Sequence, residues 1–218
     1  MAWFVAHLCW TLVGPTDNCY GQTLSVGNGY LTSLNTATTN TVDVARNFAA
    51  ILNGPLTGAS TMTLSGGFLS TASSMLSLVN SNGNTFSGDI ILDVDGGTLR
   101  LAGNLYIPGA AMKGLILPGM TSGNPITIRR GAYFNIDDNV NAALGYIADR
   151  LGSAGSRPAV RLDGGTFNLN GANNAIVMTQ TLGPLTLASG PSVINVTRAA
   201  GTPQLVFGSL SLDRGAFV

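Results

Sequence analysis

The chain has 218 residues, no glutamate, a single lysine and a formal net charge of zero. Charged residues make up 9% of it, whereas roughly 25% is typical of globular proteins, so serine, threonine, asparagine and glycine must cover most of the surface. Zero net charge excludes the basic surface that backbone contacts to nucleic acid require, and no apolar run reaches the roughly 20 residues of a membrane helix. We expect many short strands, no nucleic-acid partner and no membrane span within this chain.

Residues 1–20 form an apolar leader. Residues 2–13 have the length of the apolar part of an export signal, but a basic start and a clear small-residue cleavage site are missing. Two interpretations stay open, an export signal and a truncated or mis-called start. The leader contains Cys9, Cys19 and the only histidine, His7. The cysteines lack metal-ligand spacing and any histidine-dependent catalysis would have to use His7, so we expect no chemistry here.

Residues 42–53 carry a helical pattern. Apolar side chains recur at helical spacing at Ala45, Phe48 and Leu52, and Asn53-Gly54 closes the segment. We predict a short helix here. If the repeats that follow stack on one another, this helix would cap an open end of the stack, where unpaired strand edges would otherwise recruit other chains.

An eight-residue motif recurs in the rest of the chain. Residues 94–101 read VDGGTLRL and residues 162–169 read LDGGTFNL. A looser copy, RGAYFNI, covers residues 130–136, about 33 to 35 residues from each of the others. Self-similarity at a fixed period of this kind predicts a repeat architecture.

Apolar residues alternate with period two on both sides of Asp-Gly-Gly, which predicts strands with one buried face. Two arrangements are compatible with this pattern. Asp-Gly-Gly is either a hairpin turn between antiparallel strands, or a corner of a coil whose equivalent strands stack in parallel. The copies recur at roughly twice the 12 to 16 residues of a two-strand hairpin, which favours the coil. We predict one all-β domain over residues 21–218, a parallel β-helix (β-solenoid), with an antiparallel β fold as the alternative.

The motif also predicts which residues build the coils. The predicted corners are Gly96, Gly97, Gly131, Gly164 and Gly165. The predicted buried rows consist of Leu92, Val94, Leu99, Leu101, Phe134, Ile136, Leu162, Phe167 and Leu169.

Residues 82–92, NGNTFSGDIIL, followed by residues 96–101, GGTLRL, resemble the autotransporter-associated β-strand repeat. That repeat reads as an Asn-Thr-Tyr/Phe-Ser-Gly turn, an apolar strand and Gly-Thr-Leu-x-Leu. Residues 182–191, 194–197 and 205–210 are similar to the segments between such repeats, so the likeness covers roughly residues 60–218. The resemblance implies a right-handed β-helix passenger domain, exported and exposed at a bacterial surface. We expect the chain to be a fragment of a longer repeat protein or one unit of an assembly.

Carboxylate chemistry could use only aspartate, because no glutamate is present. Paired acids hydrolyse glycosidic bonds, and the candidates are Asp93 with Asp95 and Asp137-Asp138. Asp95 precedes two glycines and Asp137-Asp138 follows a strand, positions where aspartate binds the backbone amides of a turn. We interpret them as turn residues, and we expect Arg129-Arg130 to form surface ion pairs with Asp137-Asp138. Calcium-loop and phosphate-loop patterns are absent from the sequence, so we predict no catalytic residue, no cofactor and no metal.

These features predict a non-catalytic structural or surface domain of an exported protein, a stalk, an adhesin or a surface-layer element that is extracellular or at the cell surface. Two alternatives stay open. One is a polysaccharide-binding or polysaccharide-cleaving β-helix, and the other is a subunit of a self-assembling filament. The candidate partners are surface glycans, other cell-surface proteins and, end to end, further copies of the chain.

Overall fold

The computed structural model describes residues 23–26, 29–31, 33–44, 49–52, 54–66, 74–78, 84–93, 97–102, 117–137, 151–152, 155–171, 177–198 and 200–217. The predicted leader, with His7 and both cysteines, lies outside these residues. Every regular element within them is a β-strand, which confirms the all-β prediction for this part of the chain. Among the described residues we find no helix that is long and apolar enough to span a membrane.

Two parallel sheets contain most of the strands. Sheet A consists, side by side, of β1 (Thr23–Val26), β4 (Thr41–Val44), β7 (Met62–Gly66), β9 (Ile90–Leu92), β11 (Ile126–Arg129), β13 (Val160–Asp163), β16 (Leu185–Pro191) and β19 (Leu210–Leu212), and β20 (Ala216–Phe217) also pairs with β16. Sheet B consists of β2 (Gly29–Leu31), β5 (Ala49–Leu52), β8 (Ser74–Leu78), β10 (Gly97–Ala102), β12 (Tyr133–Asp137), β14 (Thr166–Asn170) and β17 (Val193–Thr197). Two further ladders pair β3 (Leu34–Asn35) with β6 (Leu56–Thr57) and β15 (Val177–Leu182) with β18 (Thr202–Phe207).

The chain alternates between the two sheets. After β1 in sheet A it forms β2 in sheet B, and it returns to sheet A as β4, which pairs in parallel with β1. We call one such passage, from sheet A through sheet B and back, a coil. Coils differ in length, because Thr23 aligns with Thr41, 18 residues later, whereas Ile90 aligns with Ile126, 36 residues later. The variation is absorbed between the strands, so that neighbouring strands of sheet A stay in register except for one shift after Leu162, where β13 pairs with β16.

The three copies of the motif lie next to one another in sheet B. Leu99 of β10 aligns with Phe134 of β12, which aligns with Phe167 of β14, and both pairings are parallel. A hairpin would pair the two strands on either side of Asp-Gly-Gly with each other, whereas β13 and β14, which flank Gly164-Gly165, lie in different sheets. The parallel arrangement predicted for a corner is therefore found, and the antiparallel alternative is wrong.

The short helix predicted over residues 42–53 is wrong for the residues that the structure describes. Residues 41–44 and 49–52 are strands β4 and β5, each paired on both sides, β4 with β1 and β7 and β5 with β2 and β8. Val42 and Val44 are fully buried, as are Ala50 and Leu52, which is the period-two pattern of a strand. Two complete hydrogen-bonded ladders and this burial outweigh the weak helical preference of the segment.

One hydrophobic core fills the space between the sheets. Each strand turns alternate side chains inward, and equivalent residues of successive coils form continuous rows. One row of sheet A runs through Val42, Leu64, Leu92, Ile128 and Leu162, all with no exposed surface. The outward positions between them carry threonine, serine, aspartate and arginine, so that a single alternation positions both the core and the polar surface.

Candidate functional site

The predicted glycine corners fall into two physical kinds. Gly131, between β11 and β12, has φ 80°, and Gly164, between β13 and β14, has φ 77°, values that side chains with a Cβ rarely adopt. Gly165 is needed for space, because a Cβ there would lie 2.5 Å from Cγ2 and 2.6 Å from the carbonyl oxygen of Ile128 in the preceding coil. Gly97 is the first residue of β10, and Gly96 lies outside the described residues.

The residues predicted to form buried rows lie mostly in the core. Phe134 and Phe167 stack edge to face with ring centroids 5.2 Å apart, and Leu99 and Leu101 stand in β10, although their side chains are outside the description. Val94 lies outside the described residues. The remaining predicted residues are fully buried: Leu92, Ile136, Leu162 and Leu169.

The outward side of sheet A carries a line of paired polar side chains, which we call the polar ladder. Ser65 Oγ donates a hydrogen bond to Asp43 Oδ1 over 2.9 Å, and Arg129 Nη1 lies 3.1 Å from Asp93 Oδ1. The third pair joins the hydroxyl of Ser189 to the carboxylate of Asp163. The polar ladder thus consists of Asp43, Ser65, Asp93, Arg129, Asp163 and Ser189.

Carboxylates alternate with hydrogen-bond donors along the polar ladder from coil to coil. Its carboxylates stand in or directly after the second, fourth and sixth strands of sheet A, and its hydroxyl or guanidinium donors stand in the third, fifth and seventh. Neighbouring strands lie about 4.8 Å apart, so carboxylates in successive coils would repel one another directly. Alternation doubles their separation and gives each carboxylate a donor. These side-chain bonds join successive coils in pairs, and each of the three aspartates takes part in one of them.

One aspartate of each candidate catalytic pair, Asp93 and Asp137, lies within the described residues, and the two belong to different sheets. Asp93 follows β9 in sheet A and binds Arg129, whereas Asp137 ends β12 in sheet B and aligns with Asn170. The ion pair predicted between Arg129-Arg130 and Asp137-Asp138 is therefore wrong for Arg129, because its strand lies beside Asp93. Asp95 and Asp138 lie outside the described residues. Within the part of the chain that is described, no three His, Cys, Asp or Glu side chains lie close enough to hold a metal ion.

The outward side of sheet B has a different chemistry. Asn168 Nδ2 donates to Asn135 Oδ1 over 2.6 Å, and Asn195 aligns with Asn168 in the next coil. Tyr133, beside this amide row, is 41% exposed. Amides and a phenol can bind hydroxyl-rich ligands, so this face is where a glycan would find partners.

The last described strand of sheet A exposes apolar side chains. Leu210 and Leu212 of β19 align with Leu185 and Leu187 of β16, yet they are 62% and 64% exposed whereas their partners are buried. Within the described residues, β19, β17 and β18 each pair on one side only. We call the surface formed by these three strands the open end.

Sequence reasoning missed the polar ladder and the open end. The members of the polar ladder are separated by irregular distances along the chain, for example 22 residues from Asp43 to Ser65 and 36 from Asp93 to Arg129. Only the strand register brings them together. An outward polar residue directly after a buried apolar residue near the end of each strand is the signal that could have found them.

Comparisons with known proteins found no match. No protein-family model matches the chain, and neither the curated proteins nor the solved structures include a significantly similar one. The resemblance to the autotransporter-associated repeat therefore rests on the motif residues alone.

Proposed function

We propose that the chain is a non-catalytic structural domain of an exported protein, a right-handed parallel β-helix that serves as a stalk, an adhesin or a surface-layer element. The observation that supports it most is the in-register stack of sheet A, in which eight strands from β1 to β19 follow one another in parallel. Additional coils extend such a stack along one axis, which makes the domain long and stiff.

The right-handed path is supported by a general rule. Parallel strands of one sheet that are joined by a crossover connection follow a right-handed path in about 98% of cases, because strand twist favours that hand. Each connection between neighbouring strands of sheet A here is a crossover that passes through sheet B.

The mechanical properties follow from how the coils are joined. Backbone hydrogen bonds run along the axis, and with about 4.8 Å per coil the eight strands of sheet A extend over roughly 35 Å. Each fully buried side chain of the rows contributes about 1.5 to 3 kcal/mol of gross apolar burial, most of which offsets the entropy of ordering the chain. Stiffness therefore comes from many small contributions distributed along the stack.

The surface location is supported by composition and by the resemblance. Hydroxyl and amide side chains cover the outward faces, and lysine and glutamate are nearly or wholly missing. Antibodies raised against the purified domain should label intact source cells as strongly as permeabilised ones, and external protease should remove the signal. Labelling that appears only after permeabilisation would contradict the proposal.

A second candidate function is polysaccharide binding, which the exposed Tyr133 and the amide row of Asn135, Asn168 and Asn195 favour. A glycan array tests binding, and a reducing-sugar assay tests cleavage. If a glycan binds, Tyr133→Ala and Asn168→Ala should weaken it, whereas Thr179→Ala, on an outward position of β15, should not. Turnover of any polysaccharide that is lost in Asp137→Asn would instead establish an enzyme.

A further inference from the structure

We infer that the outward side of sheet B binds a neutral, extended polysaccharide whose chain runs along the axis of the stack, across strands β12 and β14. The inference rests on the proposed β-helix and deepens its second candidate function. It adds the class of polysaccharide, the direction in which the chain lies and the hydrogen-bond donors that select it. We call the surface formed by Tyr133, Asn135, Thr166 and Asn168 the amide face.

The amide face lies on two inner strands of sheet B. β12 stands between β10 and β14, and β14 stands between β12 and β17, so each has a described neighbour on both sides. Phe167 and Leu169 fill the inward positions of β14, which leaves Thr166 and Asn168 on its outward side. These outward side chains face sideways from the stack, and their exposure does not depend on what covers either end of it.

The central amide pair is held in place and still has bonding capacity. Asn168 Nδ2 donates to Asn135 Oδ1 over 2.6 Å. An amide has two donor hydrogens and two acceptor lone pairs, so both hydrogens of Asn135 and the carbonyl oxygen of Asn168 have no partner among the described residues. Adjacent donors and an acceptor match the hydroxyls of neighbouring sugar carbons, each of which both donates and accepts. Because the two amides already order each other, binding costs them little side-chain entropy.

Tyr133 adds an apolar contact beside the amides. It precedes Asn135 by two residues in β12, so both lie on the outward side about 6.8 Å apart, and Tyr133 is 41% exposed. It aligns with Thr166 of the next coil. A tyrosine ring provides a large apolar contact at low entropy cost, because it has only two side-chain torsions. A sugar ring presents an apolar C–H face when its hydroxyls are equatorial, so the amide face favours such rings.

Charge distinguishes the outward sides of the two sheets. On sheet A, the carboxylates of the polar ladder bond to its hydroxyl and guanidinium groups. By register, the outward positions of β10, β12, β14 and β17 contain one basic residue, Arg100, and one acidic residue, Asp137, and their formal charges cancel. A polymer of carboxylates or sulfates would lose hydration on this surface with no net opposite charge to replace it. A neutral chain is therefore the partner that fits.

The direction of the chain follows from the alignment of the amides. Asn135, Asn168 and Asn195 align in successive strands about 4.8 Å apart along the axis, so the column spans about 10 Å, more than one sugar unit covers. Along a single strand, in contrast, Tyr133 and Asn135 differ in chemistry. A straight chain laid along the axis meets an amide in every coil, whereas a chain that curves would leave the face.

The first experiment titrates the full 218-residue chain with six-unit oligosaccharides by calorimetry. Cellohexaose, xylohexaose and chitohexaose are neutral and extended, with equatorial substituents, and at least one of them should bind. Maltohexaose has the glucose units of cellohexaose in a curved, α-linked chain, and hexagalacturonate has a carboxylate on every unit. Both should bind at least about tenfold more weakly than the best of the three, whose affinity should change less than about twofold in about 1 M salt. Binding of none of the three, or equal binding of either control, would overturn the inference.

The second experiment tests the donors with an isosteric change. Asn135→Asp keeps the oxygen that accepts from Asn168 but removes both donor hydrogens, so it should weaken the best-bound hexaose at least about fivefold. Thr63→Ala, at a half-buried outward position of β7 in sheet A, is the control and should change the affinity less than about twofold. Circular dichroism and thermal melting establish that both variants are folded. Unchanged affinity in a folded Asn135→Asp variant would overturn the inference.

The third experiment tests the direction with two asparagines at equal removes from Asn168. Asn195 follows it along the axis, and Asn170 follows it along β14 on the same outward side. Asn195→Ala should weaken the hexaose at least about threefold, whereas Asn170→Ala should change it less than about twofold. The reverse order would place the chain along the strand and overturn the axial arrangement.

Failure of this inference can be told apart from failure of the proposed function. A folded chain that is labelled on intact cells but binds only hexagalacturonate overturns the neutral class and leaves the surface role intact. Labelling restricted to permeabilised cells contradicts the surface role, whichever oligosaccharide binds.

Discussion

Two segments of sheet A have the same apolar-polar alternation and end in the same two residues, but their leucine side chains differ in exposure. Residues 160–163 read VRLD and residues 210–213 read LSLD, and Leu162 and Leu212 occupy the same inward row. Leu162 has no exposed surface, whereas Leu212 is 64% exposed, because among the described strands β13 has a neighbour on each side and β19 on one side only. Whether an inward-facing residue is buried therefore depends on an adjacent coil, because the local sequence pattern determines only which face of the strand the side chain occupies.

The largest expected effect comes from placing a charge at Leu162, with the same substitution at Leu212 for comparison. Leu162→Asp leaves an unpaired carboxylate in the core and should lower the free energy of unfolding by at least about 4 kcal/mol, enough to unfold the neighbouring coils. Leu212→Asp should change it by less than about 1 kcal/mol, because water already reaches that side chain. Urea unfolding followed by circular dichroism measures both.

The measurement needs dilute protein, at which association cannot hide a loss of stability. Stacked repeats can also unfold in parts, so hydrogen exchange of the amides in β13 and β19 provides the local reading. Equal destabilisation by the two variants would show that the open end is buried in solution and would contradict the comparison.

The next effect concerns the aromatic stack. Phe167 is fully buried and touches Phe134, at 5.2 Å, and Phe207, at 6.1 Å between ring centroids. Phe167→Ala should cost about 3 to 5 kcal/mol, through lost burial and the cavity it leaves. Phe207→Ala, in the half-buried outer member of the stack, is the matched control and should cost less than half as much in the same unfolding experiment. A larger loss at Phe207 would mean that the last coil is covered.

Much of the fold can be predicted from the sequence where strands carry the motif. The alternation around Asp-Gly-Gly locates β10, β13 and β14, and the long period selects parallel over antiparallel pairing. Prediction from sequence fails at residues 42–53, because alanine and phenylalanine at helical spacing indicate a helix there, whereas Val42 and Val44 alternate as in a strand. Spacing was misleading there because β4 and β5 owe their form to neighbours in other coils, which no local window contains.

The surfaces are less predictable than the core. A buried row needs only apolar residues at alternate positions, whereas the polar ladder needs the identity of the residue in the next coil, 18 to 36 residues away. Asp93 illustrates the difference, since its partner Arg129 lies 36 residues further along the chain, whereas the sequence alone predicts an ion pair between Arg129-Arg130 and Asp137-Asp138. The exposure of Leu212 is equally hidden, because VRLD and LSLD look alike.

A smaller effect is expected at a corner where glycine is needed for space. Gly165→Ala would bring a Cβ to 2.5 Å from Cγ2 of Ile128, so a coil must shift, at a cost of about 1 to 3 kcal/mol. Gly123→Ala is the control, because its Cβ would meet only the Thr121 hydroxyl at 3.5 Å, and it should be nearly neutral. Thermal unfolding should place the two variants at least about 2 °C apart. Equal melting temperatures would show that the corner is looser than its contacts indicate.

The smallest expected effect is a difference in coupling energy between two ion pairs that have the same nitrogen–oxygen distance. Arg129 lies 3.1 Å from Asp93 in the middle of the stack, and Arg161 lies 3.1 Å from Asp213 at the open end. The Asp93 side chain is 30% exposed and that of Asp213 48%, so solvent should screen the second pair more strongly. Double-mutant cycles with alanine should give coupling energies between 0 and about 1 kcal/mol for both, larger for Arg129–Asp93, and both should shrink in about 1 M salt. A larger coupling for Arg161–Asp213 would contradict this order and would mean that β19 is covered in solution.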